Sequence, residues 1–162
     1  MKPDIRPATA EDYETISEVL GQVDALHRDA LPHVFRKPDG PARDPEYILA
    51  ALADANTGLF VADAAGRLVG VIHVALRESP PAPIFVPRRY AVIDSLAVHE
   101  AHRGKGIGAA LIATAEAWAR AKGAGAVELH VWEFNASAIA FYERLGYEML
   151  SRKMGKALNE GS

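Results

Sequence analysis

Polar and apolar positions along this chain switch between a helical and a strand period, and the switches mark out the elements. The opening run "DIRPA" predicts a short strand. Thr9 stands at a cap position with Asp12 three residues later, so a helix is expected over Ala10–Gln22. A second short helix is expected over "DALHRDAL". Pro32, Pro38, Pro41 and Pro45 then break the pattern, which makes 32–44 a loop and places Pro45 in the first turn of a helix over "PEYILAALADA". "GLFVADAAGRLVGVIHVAL" predicts a hairpin turning at Asp63–Gly66. The proline-rich loop "ESPPAPIFVP" leads to a long strand, "RRYAVIDSLAV". Leu111, Ile112, Ala115 and Trp118 recur at helical spacing, and Gly123 supplies a stop. "AVELHVW" predicts a strand, Asn135 caps a helix over "ASAIAFYERL", and "YEMLSRKMGKAL" predicts one or two final strands. Strands and helices mix without the regular alternation of a doubly wound sheet.

Length and composition narrow the class. A chain of 162 residues is expected to form a single domain, 1–162. At 49% hydrophobic and 24% charged residues it has the balance of a soluble globule. A net charge of -3 gives no global sign of a nucleic-acid partner. The absence of cysteine excludes a disulfide scaffold, a thiolate nucleophile and cysteine-ligated zinc. Acidic residues come early, no apolar leader follows and no run is long enough to cross a bilayer, so the expected location is cytoplasmic, with no membrane partner. "HEAH" lacks the spacing of a helical zinc motif, and no metal is expected.

Chemistry concentrates in "HRGKGIGAAL", residues 102–111. Three glycines stand between a predicted strand and a predicted helix, where the first helical N–H groups lack internal partners. Glycines let such a turn wrap an anion with backbone donors, and the helix end adds its dipole. Arg103 and Lys105 supply full charges, so a phosphate or pyrophosphate site is expected. The P-loop pattern is absent. Gly104, Gly106 and Ala109 formally fit a dinucleotide fingerprint, but only one strand–helix–strand unit follows.

"LAVHEAHRGKGIGAALI" resembles the acetyl-CoA-binding motif of GNAT-type N-acetyltransferases, of the form R/Q-x-x-G-x-G/A, with Arg103, Gly106 and Gly108 in its fixed places. "NASAIAFYERLGYE" resembles the family's C-terminal motif, and "IRPATAEDYETI" its first strand and helix. The resemblance runs from about Ile5 to Leu158 and is weakest between Asp24 and Asn56. It implies an α/β fold of the GNAT type: a mixed, mostly antiparallel sheet of six to seven strands, splayed at the cofactor, with helices on both faces. It implies acetyl-CoA as cosubstrate. Pantetheine would meet the strand backbone at Leu96, Ala97 and Val98, and the pyrophosphate the turn formed by Arg103, Gly104, Lys105, Gly106, Ile107, Gly108 and Ala109. The Val98 amide would stabilise the oxyanion. Asn135 and Ala138 would meet the cofactor from the last helix, where Asn135 is equally a cap. Tyr142 matches the family's proton donor to the leaving thiolate; on its residue type alone it is an amphipathic tyrosine at a helix boundary.

The rest of the site is open at the level of sequence. Asp94 alternates with Leu96 and Val98, so a regular strand puts all three on one face and a bulge would not. As a catalytic residue it takes the amine's proton, directly or through water; it can equally hold an ammonium ion or pair with Arg88 or Arg89. His27, His33 and Phe35 are the candidate acceptor-binding residues, with Asp24 and Asp29 as attractors of a cation; each is also an ordinary surface residue. The expected reaction is acetyl transfer from acetyl-CoA to a primary amine of a small molecule or a peptide. The rivals are a silent CoA-binding sensor and a dinucleotide-binding oxidoreductase. A homodimer stays open.

Overall fold

A computed structural model describes residues 2–159 of the chain. They fall into two compact units, divided between His130 and Val131.

The first unit is a five-stranded sheet in the order β1-β2-β3-β4-β5: Asp4–Pro7, Thr57–Ala64, Arg67–Glu78, Arg89–Val98 and Val127–Leu129. The first four strands pair antiparallel, and β5 pairs parallel to β4. The hairpin β2–β3 turns through Ala65 and Gly66, whose φ values are 55° and 89°, and the Asp63 carboxylate accepts from the Gly66 amide at 2.7 Å. Two positive φ values in a two-residue turn match the twist of the flanking strands.

Three helices accompany the sheet: α1 over Tyr13–Ala30, α2 over Pro45–Ala53 and α3 over Ile107–Ala121. The two helices expected at 10–22 and 24–31 are thus one, entered through a 3-10 turn at Ala10–Asp12. Gly21 does not break α1, because the burial of Ile16, Val19 and Leu20 holds the helix on the sheet against its local propensity. The start follows the expected capping pattern: the Asp12 carboxylate accepts from the Thr9 amide at 2.8 Å and from Arg6 at 2.9 and 3.0 Å. Asp44 caps α2 by accepting from the Tyr47 amide at 3.1 Å, with Pro45 in the first turn.

The sheet has helices on both faces. Val61, Val71 and Ala97 join Ile16, Val19, Leu20 and Ile48 in one core with α1 and α2. On the other face, a Cβ at Gly70 would lie 3.0 Å from Leu111 and 3.2 Å from Ile107 of α3.

The second unit contains one helix, α4, over Ala136–Arg144. Residues 147–159 carry no regular structure, so the expected final strands are not formed there and the sheet of the described residues has five strands, not six or seven. An apolar alternation makes a strand only with a ladder partner, and this unit offers none. Met149, Leu150, Met154 and Leu158 are exposed instead.

Candidate active site

The turn before α3 has the backbone that its sequence foreshadows. Gly104 and Gly106 adopt left-handed φ values of 79° and 82°. Nothing lies within 4 Å of a Cβ placed at either, so conformation rather than crowding is what calls for glycine. Gly106 is the α3 N-cap and offers no side chain to the first-turn amides. The amides of Ile107, Gly108 and Ala109 therefore remain donors without an intrahelical acceptor, beside the positive end of the helix. Ile107 anchors the turn by burying its side chain. Arg103 folds back, its Nε donating to the Val98 carbonyl at 3.0 Å. Lys105 is exposed. Partial burial, and after it the charges of Lys105 and Arg67 and the neighbouring His99, lower the pKa of His102, so cationic charge gathers here.

The turn follows the end of β4 at which the sheet parts. The β4–β5 ladder holds only the pairs Ala91–Val127, Val92–Glu128 and Ile93–Leu129. Beyond Ile93, the edge of β4 that carries Leu96, Ala97 and Val98 has no ladder partner on that side among the described residues.

A bulge stands at this point of parting. His73 pairs with Ser95 and Val74 with Ile93, so Asp94 is the extra residue. Directly opposed residues share a face. Leu96 and Val98, opposite Ile72 and Gly70, lie on the α3 face, whereas Ser95 and Ala97 lie with His73 and Val71 on the α1/α2 face. Asp94 points to His73 and Arg77, at 4.0 and 3.9 Å. The shared face that a regular strand would give Asp94, Leu96 and Val98 is thus broken. Asp94 does not pair with Arg88 or Arg89, which are held by Glu128 at 2.9 Å and Glu78 at 3.0 Å.

His73, Tyr47 and Arg77 gather about Asp94, and the sequence did not single them out. The Tyr47 hydroxyl is 2.8 Å from His73 Nδ1. Burial, reinforced by Arg77 and Arg43 and opposed by Asp94, lowers the His73 pKa from its ordinary 6.5. Arg43 in turn binds Asp24 through bonds of 2.8 and 3.2 Å, so Asp24 is an internal partner rather than a free attractor of cations. The signal for this group was faint: one histidine inside an apolar strand and one tyrosine three residues after a cap.

His27 and Phe35 meet edge to face at 5.7 Å, and His27 Nδ1 bonds the Val23 carbonyl at 2.8 Å. His33 is exposed. The loop before β4 displays Ile84 and Val86, 86% and 76% exposed. A cavity of about 360 Å³ is lined by Asn56, Leu76, Arg77, Glu78 and Arg89, at the end of β4 away from the glycine turn.

Within the second unit Asn135 caps α4, accepting from the Ala138 amide at 3.2 Å, so that amide is engaged by the cap. Tyr142 packs edge to face on Phe141 and Tyr147, at 5.2 and 5.9 Å. Burial raises its pKa above the ordinary 10.0, so the hydroxyl keeps its proton at neutral pH.

A mostly antiparallel sheet, parted at one parallel pair beside a glycine turn and a helix N-terminus, defines an α/β protein with free backbone donors at one end of its sheet. A family model described as "Acetyltransferase (GNAT) family" matches residues 22–147, and the chain belongs to that family. It is similar to the uncharacterized N-acetyltransferase YdgE of Bacillus subtilis, 38% identical over 72 residues, which cover 44% of this chain and 46% of that protein. The chain thus spans less than half the length of the first curated relatives it matches. Among solved structures it resembles a mutant of the BH1408 protein of Bacillus halodurans, with a TM-score of 0.92 and 29% identity over 96% of this chain and 99% of that one. The aminoglycoside N-acetyltransferase AAC(6')-Iy, solved with CoA, shares the fold with a TM-score of 0.71 at 20% identity, over 96% of this chain and 99% of that one. No helix among the described residues is long and apolar enough to cross a membrane.

Proposed function

We propose that this protein moves the acetyl group of acetyl-CoA to a primary amine, by direct attack in a ternary complex. One observation carries the reading: two left-handed glycines lead into an uncapped α3 N-terminus beside the open edge of β4. The amides of 103–109, with Arg103 and Lys105, suit a pyrophosphate. The unpaired edge at Leu96–Val98 suits the amide-bearing pantetheine arm, and the Val98 amide the developing oxyanion.

On the acceptor side, Asp94 meets the incoming ammonium ion and aligns its nitrogen. Tyr142, protonated at neutral pH, supplies a proton to the leaving sulfur, and Asn135 and Ala138 serve the cofactor from α4. His27, His33 and Phe35 line the approach of the acceptor. The preferred acceptor is a small polycation of the polyamine or aminoglycoside kind, ahead of a peptide amine. The family match spans both compact units, which supports their working as one acetyltransferase domain in a cytoplasmic enzyme.

Thiol release from acetyl-CoA against a panel of amines tests the reading. Amine-dependent release is expected, and Tyr142→Phe should lower kcat by about 10²-fold with acetyl-CoA affinity and melting temperature little changed. CoA binding without release with any amine would leave a silent sensor. Retention on an NAD resin in place of a CoA resin would leave the oxidoreductase.

A further inference from the structure

The amine must lose a proton before it can attack, and acetyl transfer as described gives that proton no destination beyond Asp94. Carboxylates are weak bases, with an ordinary pKa of about 3.9, against about 6.5 for imidazole. A neutral imidazole in reach of the same nitrogen is the better acceptor near pH 7.

We propose that His73 is the general base of the reaction: its Nε2 takes the proton of an ammonium ion that Asp94 holds, while Tyr47 fixes the ring. This rests on the acetyl-transfer reading above and adds the proton's route to it. The distance carries the argument. His73 Nε2 and Asp94 Oδ2 are 4.0 Å apart, too far for a hydrogen bond to each other. A single nitrogen at hydrogen-bond distance from both subtends roughly 90° between them, an angle an ammonium group accommodates. The Asp94 side chain is 35% exposed and the His73 side chain 12%, so the carboxylate meets the cation first and the imidazole sits behind it.

The ring is held for this role. Asp44 caps α2 on the Tyr47 amide, which sets Tyr47 on the first turn, and its hydroxyl reaches Nδ1 at 2.8 Å. When Nδ1–H donates to that hydroxyl oxygen, Nε2 keeps its lone pair toward Asp94. The charged and titratable groups around the ring are Tyr47 from α2, Arg43 from the segment before it, Arg77 from β3 and Asp94 from β4. Their balance with burial lowers the His73 pKa, which leaves the imidazole neutral at pH 7.

The step balances. The nitrogen lone pair forms the N–C bond, the C–S bond breaks and its electron pair leaves with sulfur. Of the two protons the nitrogen sheds, one passes to Nε2 and then to solvent. The other ends on sulfur, through solvent and the Tyr142 hydroxyl.

The test combines kinetics on His73→Gln and Asp94→Asn with ¹⁵N resonances of the wild-type histidines. His73→Gln should lower kcat by about 10²-fold or more, leave acetyl-CoA affinity unchanged and abolish the acid limb of the kcat/KM profile. Asp94→Asn should raise the acceptor KM and keep that limb. Tyr47→Phe, which removes one hydroxyl and serves where His73→Gln fails to fold, should move the limb to lower pH. His73 should resonate as the Nδ1–H tautomer. An acid limb that survives His73→Gln, or vanishes only in Asp94→Asn, overturns the assignment. So does an Nε2–H tautomer, which would make His73 a donor that positions Asp94. Wild-type protein that transfers acetyl to no amine overturns the acetyl-transfer reading itself, whatever the tautomer.

Discussion

The two faces of the central sheet build their parts of the proposed site from different materials. On the α3 face the proposed parts are backbone: Gly104 and Gly106 with positive φ, first-turn amides and a bare strand edge. All of them lie within fourteen residues of one another in sequence, Leu96–Ala109. On the α1/α2 face the proposed parts are side chains. Asp24, Arg43, Tyr47, His73, Asp94 and Arg77 are linked by ion pairs, a hydrogen bond and close approach, and they come from α1, the loop after it, α2, β3 and β4. On the proposed reading, the cosubstrate meets the backbone and the acceptor meets side chains, which can change without disturbing the fold.

The largest expected effect tests whether the backbone face works alone. Gly106→Val puts a β-branched residue at φ 82°, where L-residues cost about 1–2 kcal/mol and branched ones more. Nothing crowds the site, so the damage is to the turn's conformation. Acetyl-CoA affinity should fall by at least about 30-fold, the equivalent of ~2 kcal/mol, as measured by calorimetry on a folded protein. The His73 tautomer should not move. Unchanged affinity would remove the turn from the cofactor site.

This contrast also explains what was legible in the sequence. The glycine turn, the hairpin turn at Ala65–Gly66 and the caps at Asp44 and Asn135 are local, because each depends on residues within four positions of one another. The side-chain face depends on register. One extra residue at Asp94 reverses the parity of β4, and strict alternation then assigns Asp94 to the wrong side of the sheet. His73 reads as one polar position in an apolar strand until β4 and α2 bring Asp94 and Tyr47 to it. The single helix α1 and the unformed final strands share that cause: burial of Ile16, Val19 and Leu20 decides the first, and want of a ladder partner the second.

An intermediate effect probes how closely α3 must approach the sheet. A Cβ at Gly70 would lie 3.0 Å from Leu111 Cδ1, 3.2 Å from Ile107 Cγ2 and 3.4 Å from the Ala97 carbonyl. Gly70→Val should therefore cost about 1–3 kcal/mol by overpacking, read as a lower denaturant midpoint at unchanged slope. Because Ile107 is both the crowded neighbour and the first residue of α3, acetyl-CoA affinity should fall too. Full stability in Gly70→Val would mean that α3 yields easily, and close approach would then not explain the glycine.

The smallest effect belongs to the side-chain face and is a matter of sign. The His73 pKa is lowered in the folded protein, first by burial and then by Arg77 and Arg43, with Asp94 opposing. In the unfolded chain the same group titrates at its ordinary 6.5. Between the two values the unfolded state binds more protons, so stability rises with pH in that window. Above 6.5 neither state is protonated there and the contribution is flat. Stability should therefore fall as pH drops through 6.5 toward the lowered value and stop responding to His73 below it. Melting curves taken across this window should show that decline in the wild type and a weaker one in His73→Gln, which has no imidazole to protonate. The Arg6–Asp12 pair acts in a separate range. Arg6, and with it the Thr9 amide, lowers the Asp12 pKa from its ordinary 3.8, so its stabilisation is lost only in stronger acid. His102, in the turn before the glycines, also has its pKa lowered, so His102→Gln is the required control. A decline that His102→Gln removes and His73→Gln leaves intact would place the pH-sensitive burial on the glycine side and reverse the contrast between the two faces.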